Sequence, residues 1–290
     1  MPRRPYWNRP PKCEPMSMRT PNLRDLLAAL LILSSPMANA QTNNRLDAVQ
    51  LIQQGDLQLR MGNSELALLH YTNAIQKDIA FADAYMKRAM LQNRLGQYTR
   101  SLADMDRALD LNPYSEYIFD RRAKVKFLLN DIKGAEDDLA RAVALKPYDE
   151  LLRESRVDAL LAMGETAEAI QELDSLLLLH PDDVLLILKK GTARLQMDDG
   201  PGALVIFDHA VTVAPRLAIV HDLRGVALMR LQRWNDALVS LDRAIALDRN
   251  FDLALYNRGL VHAHLGHPAQ ARADMDAALE LAHDKPHIFF

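Results

Sequence analysis

Cysteine is almost absent from this sequence of 290 residues, which contains only Cys13. Cys13 lies upstream of the cleavage point expected below, so the processed chain would contain no cysteine. A disulfide framework, a thiolate zinc site and a catalytic thiol are therefore excluded. Cys13 also precedes the apolar N-terminal run instead of ending it, which removes the attachment residue of a lipoprotein.

Aromatic residues are scarce at 6%, although hydrophobic residues make up 49% of the chain. A core with so few rings must be built mainly from Ala and Leu, and both favour helices. The 25% of charged residues, with 11 Gly and 14 Pro, exclude a disordered or fibrous chain. The composition thus indicates an ordered helical protein.

An excess of positive charge is missing as well. The whole chain carries a net charge of −3, and its first forty residues carry +4, so residues 41–290 carry −7. An acidic body lacks the electrostatic footprint that binding to a phosphate backbone requires. Nucleic acid is therefore not an expected partner.

Motifs for nucleotide, zinc-protease or redox chemistry are also lacking. Among the histidines, His262 and His264 are two residues apart and face different directions on a helix. His264 and His267 lie on opposite sides of the Leu265-Gly266 break. We therefore predict no catalytic, cofactor-binding or metal-binding residues, no cofactor and no enzyme activity.

The N-terminus has the order of a secretion signal. Arg19 and Arg24 precede the apolar run 26–33, residues 34–36 break the helix, and residues 38–40 offer a small-x-small pattern. We predict a signal peptide over 1–40 with cleavage between Ala40 and Gln41, and Met16 or Met18 as alternative starts. The run is too short to span about 30 Å of hydrocarbon, so no transmembrane segment is expected in the mature chain. A buried helix or an uncleaved anchor is the other interpretation.

The remaining sequence is periodic, with one fixed spacing between similar segments. Residues 102–113 align with residues 136–147, and Pro181 and Pro215 continue the series after Pro113 and Pro147. Columns of small residues hold the same spacing without an insertion. One column consists of Ala67, Ser101, Ala135, Ala169, Ala203, Ala237 and Ala271, and another of Gly55, Ala89, Ala123, Val157, Gly191, Gly225 and Gly259.

Each period predicts two helices. In the second period, helices are expected from Ala82 to about Leu95 and from Tyr98 to about Leu111. Gly96 suits the left-handed conformation that ends a helix, and Pro113 disfavours continuation of the second one. A single helical hairpin cannot bury both of its apolar faces, so successive hairpins must stack.

This pattern resembles the tetratricopeptide repeat family. The resemblance implies an all-α fold, a right-handed α-solenoid of seven 34-residue helix-turn-helix repeats. It places a short lead-in at 41–47, repeats at 48–81, 82–115, 116–149, 150–183, 184–217, 218–251 and 252–285, and an apolar tail at 286–290. Val157 and Leu176 depart from the small residues of neighbouring repeats, which makes the packing of repeat four uncertain.

In this family the first helices line a concave groove that binds partners. The resemblance implies a partner-binding groove over the last three repeats, where the groove positions become largely apolar. The nine residues that we call the groove face are Leu188, Lys189, Thr192, Asp222, Val226, Met229, Tyr256, Asn257 and Leu260. The alternative is that these side chains only fill the seam between first helices.

The clamp that binds chaperone tails in related domains is not supported. Its slots in repeats one to three hold Ile52, Asp56, Lys87, Tyr117 and Arg121 in place of two Lys, two Asn and an Arg.

The expected function is a non-enzymatic protein–protein interaction scaffold that binds a peptide or an amphipathic helix in the groove. Family resemblance favours a role in assembling a bacterial envelope complex, with the periplasm as location and secretion as the alternative. Other hypotheses are a self-associating structural subunit and a solenoid that binds glycans or small ligands. The apolar tail is expected to fold back as a cap on repeat seven.

Overall fold

The computed structural model describes the backbone of residues 36–283 and the side chains of residues 43–282. Most of the predicted signal peptide and the tail at 286–290 lie outside the described residues. Within 36–283 the chain forms helices and no strand. The fourteen helices of that range are α1 (Pro36–Arg60), α2 (Ser64–Lys77), α3 (Ala82–Arg94), α4 (Tyr98–Leu111), α5 (Glu116–Leu128), α6 (Ile132–Leu145), α7 (Glu150–Met163), α8 (Thr166–Leu179), α9 (Val184–Gln196), α10 (Gly200–Val213), α11 (Ala218–Arg230), α12 (Trp234–Leu247), α13 (Asp252–His264) and α14 (Pro268–His283).

Helix starts follow the sequence period. Helices α3, α5, α7, α9, α11 and α13 each begin at the first residue of a predicted repeat, and the helices that follow them keep the same spacing. We call the former first helices, together with α1, and the latter second helices. The fold class is the all-α solenoid of stacked helix pairs that the sequence predicts, whereas its handedness and exact repeat count stay predictions. Residues 41–47, the predicted lead-in, are helical and belong to α1, as are Ala40 and Gln41.

The turn between the two helices of each pair is fixed by one left-handed residue. Positive φ angles recur once in every sequence period, at Gly62, Gly96, Asn130, Gly164, Asp198, Gln232 and Gly266. Glycine adopts this conformation without steric cost, and Asn and Asp tolerate it better than most residues. The second helix then starts at once, and Asp131 and Asp199 cap α6 and α10 by accepting a bond from the backbone N–H three residues on.

The chain divides into two compact units, residues 1–91 and 92–290. The described part of the first unit has a core around Ala48, Ala67 and Tyr71, in which Tyr71 is 1% exposed. In the second unit each helix from α4 onward contacts the next helix along the chain. In addition α9 contacts α11 and α11 contacts α13, so the last three first helices form a continuous row.

Close approach of the paired helices depends on the residue that faces the large side chain of the second helix. A Cβ atom added to Gly191 would lie 2.4 Å from Cε1 of Phe207, and one added to Gly55 would lie 2.5 Å from Cε1 of Tyr71. Where the partner is smaller, as at Leu139, the facing residue is Ala123. At these three contacts the first-helix residue is therefore smaller where the side chain it faces is larger.

Repeat four keeps the packing of its neighbours despite its larger residues. Val157 and Leu176 are both fully buried, and they pack in one cluster with Leu173 and Leu186. The departure from the family pattern is thus absorbed inside the core. Helix α8 keeps the 14 residues of the other second helices before α14, and α7, also with 14 residues, is one residue longer than the first helices α3, α5, α9, α11 and α13.

A ladder of ion pairs, not predicted from the sequence, links successive helix pairs in the second unit. Arg122 binds Asp138 on the second helix of its own pair and Asp106 on the preceding second helix, with N···O distances of 2.8 Å and 2.6 Å. Arg258 makes the equivalent bonds to Asp274 and Asp242, both at 2.8 Å. Because one partner precedes the arginine in the chain and the other follows it, one guanidinium bridges three helices.

We predict that Gly191→Ala lowers the free energy of unfolding by about 1–3 kcal/mol, because the new methyl group overlaps the Phe207 ring. Adding Phe207→Leu should recover part of this loss, since Ala facing Leu is the arrangement at Ala123 and Leu139. Urea denaturation of the single and double variants measures the coupling. Strictly additive losses would contradict the volume complementarity.

Candidate partner-binding face

The groove face lies on α9, α11 and α13, three first helices that contact one another in sequence. Of its nine residues only Asp222 is buried, at 3% exposure, while Tyr256 is the most open at 48%. The other seven are partly buried. The residues predicted from the sequence are thus brought onto one row of helices, but to different depths.

Two of the predicted contact residues also serve the core. Leu188 packs against the clusters around Ile187 and Phe207, and Met229 packs against the cluster around Leu241. The contacts of these two side chains agree with the alternative that they fill the seam between first helices. On α7, α9 and α13 the exposed large apolar residues are Leu151, Leu185, Leu253 and Tyr256, between 48% and 75% exposed.

Polar groups of the groove face make bonds between successive first helices. Lys189 on α9 forms an ion pair with Asp158 on α7. Asn257 on α13 donates its Nδ2–H to Oδ1 of Asp222 on α11, with an N···O distance of 2.9 Å. The same kind of link occurs in the first unit, where Lys87 on α3 binds Asp56 on α1 at 2.8 Å.

Asp222 differs electrostatically from the other acids of these links. Burial raises the pKa of Asp222 to about 6, and the hydrogen bond from Asn257 offsets only part of this effect. Burial also acts to raise the pKa of Asp56, but hydrogen bonds from Lys87 and Tyr71 outweigh it and leave that pKa below its ordinary value. The cation in the Asp56 link therefore lowers the pKa of that carboxyl, whereas the neutral amide of Asn257 leaves the pKa of Asp222 raised.

The late histidines lie near one another without forming a metal centre. His264 stacks on Trp234 with ring centroids 4.0 Å apart, and Nδ1 of His262 lies 3.4 Å from Nδ1 of His267. Over side chains 43–282 no group of three or more His, Cys, Asp or Glu residues is placed to hold a metal ion. The contact of His262 with His267 across the helix break is one that sequence spacing did not predict.

Residues at the positions of the chaperone clamp interact with other residues of this chain. Asp56 and Lys87 bind each other, and Arg121 lies over the ring of Tyr117 with its Cζ 5.1 Å from the centroid.

None of the helices in the described range combines the length and hydropathy needed to cross a bilayer.

Family models match three parts of the chain. A model described as tetratricopeptide repeat matches residues 52–116, a second with the same description matches residues 252–285, and one described as TPR repeat matches residues 210–266. No curated protein matches the sequence.

Solved structures share the fold at low sequence identity. A tetratricopeptide repeat protein from Parabacteroides merdae is 16% identical with a TM-score of 0.62, over 83% of this chain and 95% of that one. The C-terminal part of a TPR repeat-containing protein from Cytophaga hutchinsonii is 14% identical with a TM-score of 0.64, over 81% and 96%. A thermophilic TPR protein from Thermus thermophilus is 21% identical with a TM-score of 0.50, over 59% and 93%.

We predict that Asp222→Asn stabilises the protein at pH 7.5. The pKa of Asp222 is raised in the folded state, so the folded protein binds this proton more tightly than the unfolded one. Stability therefore falls as the pH rises from about 4 to about 6, and above pH 6 the ionised carboxylate costs on the order of 2–3 kcal/mol. Asparagine cannot ionise and avoids this cost.

Melting temperatures at pH 7.5 and pH 4 test this prediction, and the gain of the variant should vanish at pH 4. Asp120→Asn is the matched control, because Asp120 occupies the same helix position but pairs with Lys124 at 2.8 Å. It should not stabilise the protein at either pH. A variant at Asp222 that melts below the parent at pH 7.5 would contradict the assignment.

Proposed function

Because this chain belongs to the tetratricopeptide repeat family, we propose that it is a non-enzymatic scaffold for protein–protein interaction. Its partner is a peptide or an amphipathic helix that docks on the groove face by apolar anchors.

The observation that carries this proposal is the exposure of large apolar side chains on α9 and α13, two of the three helices that carry the groove face. Leu185 on α9 is 57% exposed, and Leu253 and Tyr256 on α13 are 57% and 48% exposed. Exposed large apolar side chains that lie on neighbouring helices often mark an interaction site. Because these residues are divided between α9 and α13, with α11 between the two helices, they suit an extended or helical ligand better than a small molecule.

We place this scaffold in the bacterial periplasm, where it assists the assembly of an envelope complex. The support is the order of charged, apolar and small residues in 1–40, ending at Ala40 and Gln41. The processed chain would contain no cysteine, so it would need no disulfide bond in order to fold after export.

Self-association is a second candidate, because another apolar surface lies on the second helices. Val205 on α10 and Val239 on α12 occupy equivalent positions in consecutive repeats and are 70% and 68% exposed. Two copies that joined along this surface would bury both valines. Light scattering on the purified chain distinguishes this arrangement from a monomer with a free groove face.

We predict that a photo-crosslinking amino acid at Tyr256 captures one discrete protein in living cells. The same amino acid at Val239, which is more exposed but lies on a second helix, is the matched control and should not capture it. Leu185→Asp together with Leu253→Asp should abolish capture with helicity unchanged, because charges replace the apolar anchors. Equal capture at both positions, or capture of a second copy alone, would contradict the groove proposal.

Cleavage between Ala40 and Gln41 is the prediction on export. Intact mass and N-terminal sequencing of the protein from a periplasmic fraction should give a chain that begins at Gln41. Recovery of the protein only from the cytosol, with residues 26–40 retained, would contradict export.

A further inference from the structure

Two acids of the first helices, Asp56 and Asp158, are each paired with a lysine, whereas Asp222 is not. Asp56 pairs with Lys87, and Asp158 pairs with Lys189, which are the sixth residues of α3 and α9. In both links the cation comes from the following first helix. Asn257 is the sixth residue of α13, and it binds Asp222 through a neutral amide.

Helix α11, which carries Asp222, supplies no cation to it either. Asp120, the fifth residue of α5, pairs with Lys124 four residues on at 2.8 Å and lies 3.8 Å from the guanidinium of Arg121. Asp222 is the fifth residue of α11, where Leu223 and Val226 take the places of those two cations. Among the described side chains no basic group forms an ion pair with Asp222.

This arrangement leaves a desolvated carboxylate with one amide donor. Burial holds the pKa of Asp222 near 6, which means that its ionised form is poorly stabilised at neutral pH. A charged donor binds such a group more strongly than it binds an exposed carboxylate, because a charge-assisted bond gains strength away from water. A ligand with a basic group would therefore supply what the chain itself lacks at this position.

Surrounding residues favour a positive ligand as well. Lys189 is the only basic residue of the groove face, and it is already paired with Asp158, which remains 54% exposed at its side chain. Tyr256 precedes Asn257 and is 48% exposed, and a tyrosine ring attracts a cation placed over its face.

We propose that the partner inserts the side chain of a lysine or arginine against Asp222, so that the ligand of the groove face is a peptide with a basic anchor among apolar residues. This inference rests on the proposed function. At 3% exposure Asp222 lies below the surface of the groove face, and a long side chain with a terminal charge is the basic group with the necessary reach.

Selection of phage-displayed random dodecapeptides on the full chain tests this proposal. Peptides enriched on the parent should share a lysine or arginine flanked by apolar residues. Enriched peptides would then be synthesised with arginine or with citrulline, its neutral isostere, at that position. Loss of one charge-assisted bond should weaken binding to the parent about tenfold or more.

Three variants locate the effect. With Asp222→Asn the difference between arginine and citrulline peptides should disappear, although this variant is expected to be more stable than the parent. With Asn257→Lys it should also disappear, because the new lysine provides the internal cation found at Lys87 and Lys189. With Asp120→Asn, whose acid is already paired, the difference should persist.

The outcomes separate the two proposals. If no peptide is enriched on the parent, the groove function fails and the basic anchor with it. If peptides are enriched but bind equally well with citrulline, or if the preference for arginine survives Asp222→Asn, the groove function stands and the basic anchor is overturned.

Discussion

The structure depends on how closely two antiparallel helices can approach each other within a repeat. At Gly191 the missing side chain admits the ring of Phe207, and at Gly55 it admits the ring of Tyr71. Protein interiors are packed densely enough that one methyl group changes the fit. The combined volume of the two facing side chains sets the distance of the second helix from the first. The second helix in turn positions the first helix of the following repeat.

Much of this architecture could be predicted from the sequence, because its determinants recur in fixed columns. The left-handed residues at Gly96 and Gly164 and the helix starts at Ala82 and Tyr98 follow from the local preferences of Gly, Pro and small residues. Such preferences act within one repeat, so aligning the repeats with one another makes them visible.

Relations between repeats were harder to predict. The bridge from Arg122 to Asp106 and Asp138 joins residues at different positions of the repeat, which a comparison of equivalent positions does not examine. A column of basic residues does exist, at Arg88, Arg122, Arg156, Lys190, Arg224 and Arg258. It would have indicated a shared role, although not which acids it binds.

Depth within the groove face was the least predictable property. The sequence grouped Asp222, Met229 and Tyr256 as contact residues, but the structure buries the first, packs the second into a core cluster and leaves the third half exposed. Helical spacing fixes the direction of a side chain, whereas its exposure depends on the residues of the two adjacent first helices. A buried acid without a cation lowers stability, and such a cost is often found at functional sites.

The ion-pair ladder lacks an acid at two positions on the second helices: Arg224 binds the hydroxyl of Ser240 at one of them, and Lys190 has no acceptor at the other. This residue binds Asp174 on the preceding second helix at 2.6 Å, but the position on α10 that corresponds to Asp138 and Asp274 is occupied by Ile206, which offers no acceptor. Arg122 and Arg258, by contrast, each hold two second helices at once. Stability in a stacked array is a sum over repeats and their interfaces, so the pairing of α9 with α10 lacks one ionic contribution that the pairings of α5 with α6 and of α13 with α14 have. The repeat that carries Leu188 and Lys189 thus has one stabilising link fewer than the third and seventh repeats.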